Sequence, residues 1–139
     1  MRVGVIGTGR IGTLHATILK ELGVETFVTD ADTERARSLA ADLQIQAAAT
    51  VEELIERSDA LVITAATSAH AELIVAGVDA GLPVFCEKPI ALDLETTRQV
   101  VDHVTRKEGR VQIGFQRRFD PGYVAARELV TSGRLGTLF

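Results

Sequence analysis

Short runs of β-branched and aliphatic residues alternate along the chain with stretches in which apolar residues recur every three or four positions. Val3 to Ile6 is too short and too rich in valine and isoleucine for a helix, and it predicts a buried strand. Ile11 to Leu22 follows a helical period, with Ile11, Leu14, Ile18, Leu19 and Leu22 on one face. Thr26 to Thr29 reads as the next strand and Thr33 to Leu43 as the next helix, with Leu39 and Leu43 facing inward. A weak strand follows at Ile45 to Ala48. Thr50 is placed to cap a helix, and Glu53, three residues on, completes a capping box before Leu54 and Ile55. Ala60 to Thr64, His70 to Ala80, Val84 to Cys86, Leu94 to Lys107 and Val111 to Phe115 continue as strand, helix, strand, helix and strand, with Gly81-Leu82-Pro83 as a turn. Beyond Asp120-Pro121 a last helix runs to Ser132, where Gly133 is a natural stop.

Strict alternation predicts βαβ units, and therefore a parallel sheet with helices on both faces. The strand segments read as continuous apolar runs, as expected of strands buried on both sides, and six of them fit a doubly wound α/β fold. There is no internal repeat, low-complexity tract or flexible linker. The tail from Gly133 to Phe139 begins a new strand and then stops, which reads as a cut edge.

Composition narrows the function classes. Hydrophobic residues make up 46% of 139 positions, enough to bury a core and to exclude disorder. A net charge of −4 gives no sequence-independent attraction for nucleic acid or anionic lipid, so neither is an expected partner. The single cysteine, Cys86, excludes an internal disulfide framework and a multi-cysteine zinc site, and no metal is expected. No signal peptide is visible, and no apolar run approaches the roughly 20 residues that span a bilayer. The expectation is a soluble, cytoplasmic protein.

Chemistry enters with Gly7-x-Gly9-x-x-Gly12, directly after a strand and directly before a helix. Such a loop permits a tight turn at Gly7, close approach of a pyrophosphate at Gly9 and close helix–strand packing at Gly12, while the helix N-terminus supplies free N–H groups. The reading is a Rossmann dinucleotide site formed by Gly7-Thr8-Gly9-Arg10-Ile11-Gly12. Asp30, at the end of the second strand, is spaced to accept hydrogen bonds from adenosine ribose hydroxyls. Its charge repels a 2′-phosphate, and no arginine follows at position 31, so the expected cofactor is NAD rather than NADP. Asp32 is better placed than Asp30 to cap the following helix. His70 opens a helix at the carboxyl edge of the sheet, either at a ligand or as a partly exposed helix-start histidine. Cys86-Glu87-Lys88-Pro89 sets a carboxylate and an ammonium at the end of the fifth strand. A lysine desolvated beside a nicotinamide can orient or deprotonate a hydroxyl, whereas a surface Glu–Lys pair in a loop does neither, and composition leaves both readings open.

Four segments occur in order: Gly7-Thr8-Gly9-Arg10-Ile11-Gly12, Thr67-Ser68-Ala69-His70, Phe85-Cys86-Glu87-Lys88-Pro89-Ile90-Ala91 and Gly114-Phe115-Gln116-Arg117-Arg118-Phe119-Asp120-Pro121. Together they resemble the glucose–fructose oxidoreductase, inositol dehydrogenase and rhizopine catabolism (Gfo/Idh/MocA) family across the whole chain, and its inositol 2-dehydrogenase branch most. Ala65-Ala66 stands where that family usually has Thr-Pro. The resemblance implies an NAD-dependent dehydrogenase acting on a secondary alcohol of a cyclitol or sugar. Lys88 would be catalytic, between nicotinamide and substrate hydroxyl. Gly7, Thr8, Gly9, Arg10, Ile11, Asp30, Ala66, Thr67, His70, Glu87, Lys88 and Arg118 would contact or line the cofactor. It also implies that residues 1–119 form the NAD-binding domain and that 120–139 are the first helix and strand start of a truncated α+β domain. That domain would carry the aspartate and histidine partners of the lysine and a sheet used for homo-oligomerisation. Two rivals come from other classes: a non-catalytic NAD-sensing module, which has no use for Glu87-Lys88-Pro89 or Arg117-Arg118, and a catalytically silent family member that keeps the cofactor and serves as a binding partner, which these residues leave open.

Overall fold

The computed structural model describes residues 1–137, and among them six strands form one parallel sheet. They are β1 (Arg2–Ile6), β2 (Glu25–Thr29), β3 (Gln46–Ala47), β4 (Ala60–Ile63), β5 (Val84–Glu87) and β6 (Val111–Gly114), in the order β3-β2-β1-β4-β5-β6. Between them run α1 (Arg10–Glu21), α2 (Thr33–Leu43), α3 (Val51–Arg57), α4 (Thr67–Asp79) and α5 (Leu94–Arg106). A 3₁₀ turn (Gln116–Phe119) and α6 (Pro121–Thr131) follow β6. This is the doubly wound parallel α/β sheet that the alternation predicts. The chain winds outward from β1 to β3 and then returns to pair β4 with the other side of β1. Ligands of such sheets bind at the carboxyl ends of the strands, where that reversal opens a crevice.

Two apolar layers hold the sheet. Ile6, Phe27, Leu54, Leu61, Ile63, Ile74, Val84 and Cys86 pack on the side of α3, α4 and α5, whereas Val5, Ala16, Val28, Leu39 and Ala40 pack under α1 and α2. β1 and β2 are covered on both faces along most of their length. β4 and β5 alternate buried and half-buried residues, so the expectation of strands buried on both sides fails there. Among the described residues α1 and α2 cover the second face mainly over β1, β2 and β3 and touch its far side at Val62 and, through His15, at Phe85, which leaves those two half-buried and Gln112 exposed.

The orientation of α1 also differs from its periodicity. Its buried stripe is Gly12 and Ala16, with Leu19 partly buried, while Leu14 is 55% and Leu22 72% exposed, and Ile11 and Ile18 also face out. Small residues lie inward because the helix crosses the sheet closely: a Cβ on Gly12 would stand 1.8 Å from the Gly7 carbonyl oxygen. Apolar residues one stripe over are therefore left in solvent. Elsewhere the differences are at boundaries. α4 begins at Thr67, three residues before His70, and the tail through Thr137 makes turns rather than a strand. The rest of that expected strand, residues 138 and 139, lies outside the described residues.

Four helices are capped by their own sequence. Asp32, Thr50, Asp93 and Asp120 accept N–H bonds at the starts of α2, α3, α5 and α6. Glu53 reaches back to the Ala49 N–H at 2.8 Å, one residue earlier than an ordinary capping box. α1 and α4 have no side-chain cap. No helix among the described residues is long and apolar enough to cross a membrane.

Candidate functional site: a dinucleotide cleft

The loop between β1 and α1 is built by its glycines and by Thr64. Gly7 has φ of +96°, and a Cβ there would lie 2.5 Å from the Ala65 nitrogen, so no other residue fits. Its N–H donates to the Thr29 carbonyl at 2.8 Å, and its own carbonyl accepts from the Thr64 hydroxyl at 2.7 Å. Gly9 differs: its φ is −68°, and a Cβ would meet nothing within 4 Å. The open space at Gly9 faces a cleft of ≈ 720 Å³ that Gly7, Gly9, Asp30, Arg35, Ala66 and Ser68 help to line. The two helices without side-chain caps, α1 and α4, both begin on this cleft. Their unpaired N–H groups and dipole ends suit an anion.

Thr8 is buried and turns its N–H and hydroxyl to Asp30 Oδ2, at 2.5 and 2.9 Å. Burial alone would raise the Asp30 carboxyl, but the Arg35 guanidinium and the N–H bonds from Thr8 and Asp32 outweigh it and hold the group well below the usual carboxylate range. The Arg35 pair is close, 2.7 Å from Nη2 to Oδ1 and 3.3 Å from Nε to Oδ2. This corrects the expectation that no arginine offsets the Asp30 charge. Position 31 holds none, but the first turn of α2 brings Arg35 onto the same carboxylate. Asp32 caps α2 through the Arg35 N–H at 3.1 Å, which leaves Asp30 for the cleft.

A second group of the expected residues gathers at the end of β5. His70 is 2% exposed, with Nδ1 2.7 Å from the Pro89 carbonyl oxygen and Nε2 3.0 Å from that of Ala65. It ties the loop after β4 to the loop after β5 from within, and its ring does not face the cleft. Glu87 Oε1 lies 3.1 Å from His15 Nε2, and the His15 ring packs on Phe85 at 5.4 Å. Lys88 is exposed, so the desolvation its chemistry calls for is not supplied by the described residues. Beside it, burial and the neighbouring Glu87 push the Cys86 thiol up to about 12. Arg10, Ile11 and Ala66 are exposed and Thr67 half-buried at the mouths of α1 and α4. Arg118 stands apart on the 3₁₀ turn, its guanidinium 5.7 Å from the Phe115 ring centroid.

Sequence reading missed Thr64, Arg35 and His15. Spacing from Asp30 along a helix beginning near Thr33 was the available signal for Arg35. His15 meets a residue 72 positions away, and no local pattern announces that.

Residues 1–115 match the profile of an oxidoreductase family with an NAD-binding Rossmann fold. The chain belongs to this family. A myo-inositol dehydrogenase of Streptomyces leeuwenhoekii is 44% identical over 139 residues, which cover 98% of this chain and 43% of that protein. The solved scyllo-inositol dehydrogenase of Lactobacillus casei, with bound NAD(H) and scyllo-inositol, is similar with a TM-score of 0.88 at 27% identity, over 98% of this chain and 42% of that one. A solved UDP-N-acetylglucosamine 3-dehydrogenase of Acidithiobacillus ferrooxidans superposes with a TM-score of 0.84 at 31% identity, over 92% and 41%. The chain therefore spans less than half the length of the relatives it matches.

Proposed function

We propose that this chain is the NAD(H)-binding half of a dehydrogenase acting on a secondary alcohol of a cyclitol or sugar. The observation that carries the reading is the cleft in which α1 starts uncapped over the open space at Gly9 while Asp30 stands at the end of the adjacent strand. A pyrophosphate fits the first feature and an adenosine ribose the second.

When bound, NAD supplies a hydride acceptor at its nicotinamide ring. The chain's own residues then have distinct tasks. Gly9, Arg10 and Ile11 hold the pyrophosphate at the first turn of α1, on a loop that Gly7 and Thr8 shape from within. Asp30 takes the ribose hydroxyls. Ala66 and Thr67, with His70 fixing their loop from inside, wall the nicotinamide side together with Glu87. Lys88 holds or moves the proton of the substrate hydroxyl from the end of β5. Arg118 lies where the chain leaves this domain, which ends near residue 119, and α6 opens an α+β domain that completes the substrate site. That domain desolvates Lys88 and carries the homo-oligomer contact. The buried, unpaired Cys86 suits a reducing cytoplasm.

Titration calorimetry with NADH and NADPH tests the cofactor assignment, and NADH should bind more tightly. Equal affinities or a preference for NADPH overturn it. In the full-length protein, Lys88→Ala should lower kcat for cyclitol oxidation by about 10²-fold or more, with far less change in NADH affinity. Near-normal kcat would make Lys88 structural.

A further inference from the structure

We propose that Arg35 competes with the adenosine ribose hydroxyls for Asp30, and that this competition sets how tightly, and for which nucleotides, the domain binds. The proposal rests on the NAD(H) reading above and adds a residue that works against binding.

Asp30 accepts five hydrogen bonds: from the Thr8 N–H and hydroxyl, the Asp32 N–H, and Arg35 Nε and Nη2. A carboxylate offers about four lone-pair sites, so none is free for an arriving hydroxyl. Access is closed as well as valence. The Asp30 side chain is 5% exposed, and Arg35, which lines the cleft beside it, is 52% exposed. Something must leave before a ribose can bind. The Thr8 and Asp32 N–H groups belong to the main chain of the glycine loop and of the turn into α2, and Thr8 itself is buried. Arg35 alone reaches Asp30 by a long, exposed side chain that can swing into water. It takes two donors with it, and a vicinal diol brings two. The exchange conserves hydrogen bonds, but it gives up an ion pair at a carboxylate held strongly ionised.

Two consequences follow. Removing the guanidinium should strengthen binding, the opposite of what a cofactor-contacting arginine would show. The gain should appear only for ligands that carry the diol, which makes Arg35 a determinant of nucleotide choice.

Titration calorimetry of the chain and of Arg35→Met, with NADH, ADP and 2′,3′-dideoxy-ADP, separates the possibilities. NADH and ADP should bind about three- to tenfold more tightly to Arg35→Met, the scale of one exposed charge-assisted pair. Dideoxy-ADP should change by less than about twofold, within the scatter of a surface substitution. Arg35→Lys, which keeps the charge without the planar fork, should fall between the parent and Arg35→Met. Weaker or unchanged NADH binding to Arg35→Met overturns the proposal, as does an equal gain for dideoxy-ADP. Failure of the parent chain to bind NADH at all would instead remove the NAD(H) reading, and this inference with it.

Discussion

Gly9 and Gly12 belong to one motif yet should fail in different ways. A Cβ on Gly9 meets no protein atom within 4 Å, and its φ of −68° suits any residue. Gly9→Val therefore puts its bulk into the cleft. It worsens the N-cap of α1 but restricts the unfolded chain, two effects of opposite sign and each within about 1 kcal/mol. The melting temperature should move by no more than about 3–6 °C. NADH affinity should fall at least about tenfold, since even 1.4 kcal/mol of lost contact has that effect. Gly12→Ala sets its new methyl 1.8 Å from the Gly7 carbonyl oxygen and 2.7 Å from the Thr64 hydroxyl. Restoring an ordinary contact requires α1 and the loop to part by roughly 1.5 Å or more. Overpacking against backbone of this kind should cost about 3 kcal/mol and lower the melting temperature by about 10–15 °C. Circular-dichroism melts and NADH titrations of both variants provide the check. A parent-like melt for Gly12→Ala, or undiminished binding by Gly9→Val, would refute the reasoning.

Two further predictions concern titratable groups. Cys86 is fully buried with its thiol pushed up to about 12, so iodoacetamide at pH 8 should alkylate the folded chain at least about 100-fold more slowly than the chain in guanidinium; equal rates by mass spectrometry would contradict its burial. The Asp30 carboxyl is held low in the folded chain, so its stabilisation is whole above the unfolded value of about 3.9 and is lost as pH falls toward the depressed folded value. The stability gap between parent and Asp30→Asn should thus be constant from pH 5 to 7 and shrink below 4 in urea titrations, and a gap that widens with acid would reverse the sign.

The fold was legible because short apolar runs and caps are local signals. Thr33–Leu43 matches the observed α2 end to end, and Thr50 caps α3 as its position suggests. What stayed hidden depends on partners distant in sequence. The apolar period of α1 is real, but the inward stripe is chosen by the close crossing at Gly12, which no periodicity encodes. The thinner cover on one face of β4 and β5 is likewise a matter of which helices reach them. In the cleft, the glycines and Asp30 could be found by spacing within one βαβ unit. Arg35 lies in the first turn of the following helix rather than next to Asp30, where an offsetting arginine is expected.

The unequal cover of the sheet divides its carboxyl edge by stiffness. The glycine loop and Asp30 hang from β1 and β2, whose amides are shielded by apolar layers above and below. Glu87 and Lys88 hang from β5, whose second face is only partly covered. Hydrogen-bonded backbone with water on one face opens locally at lower free energy than backbone enclosed on both. On the proposed reading, one end of a bound dinucleotide would rest on the better shielded strands and the end near Lys88 on strands that open more readily.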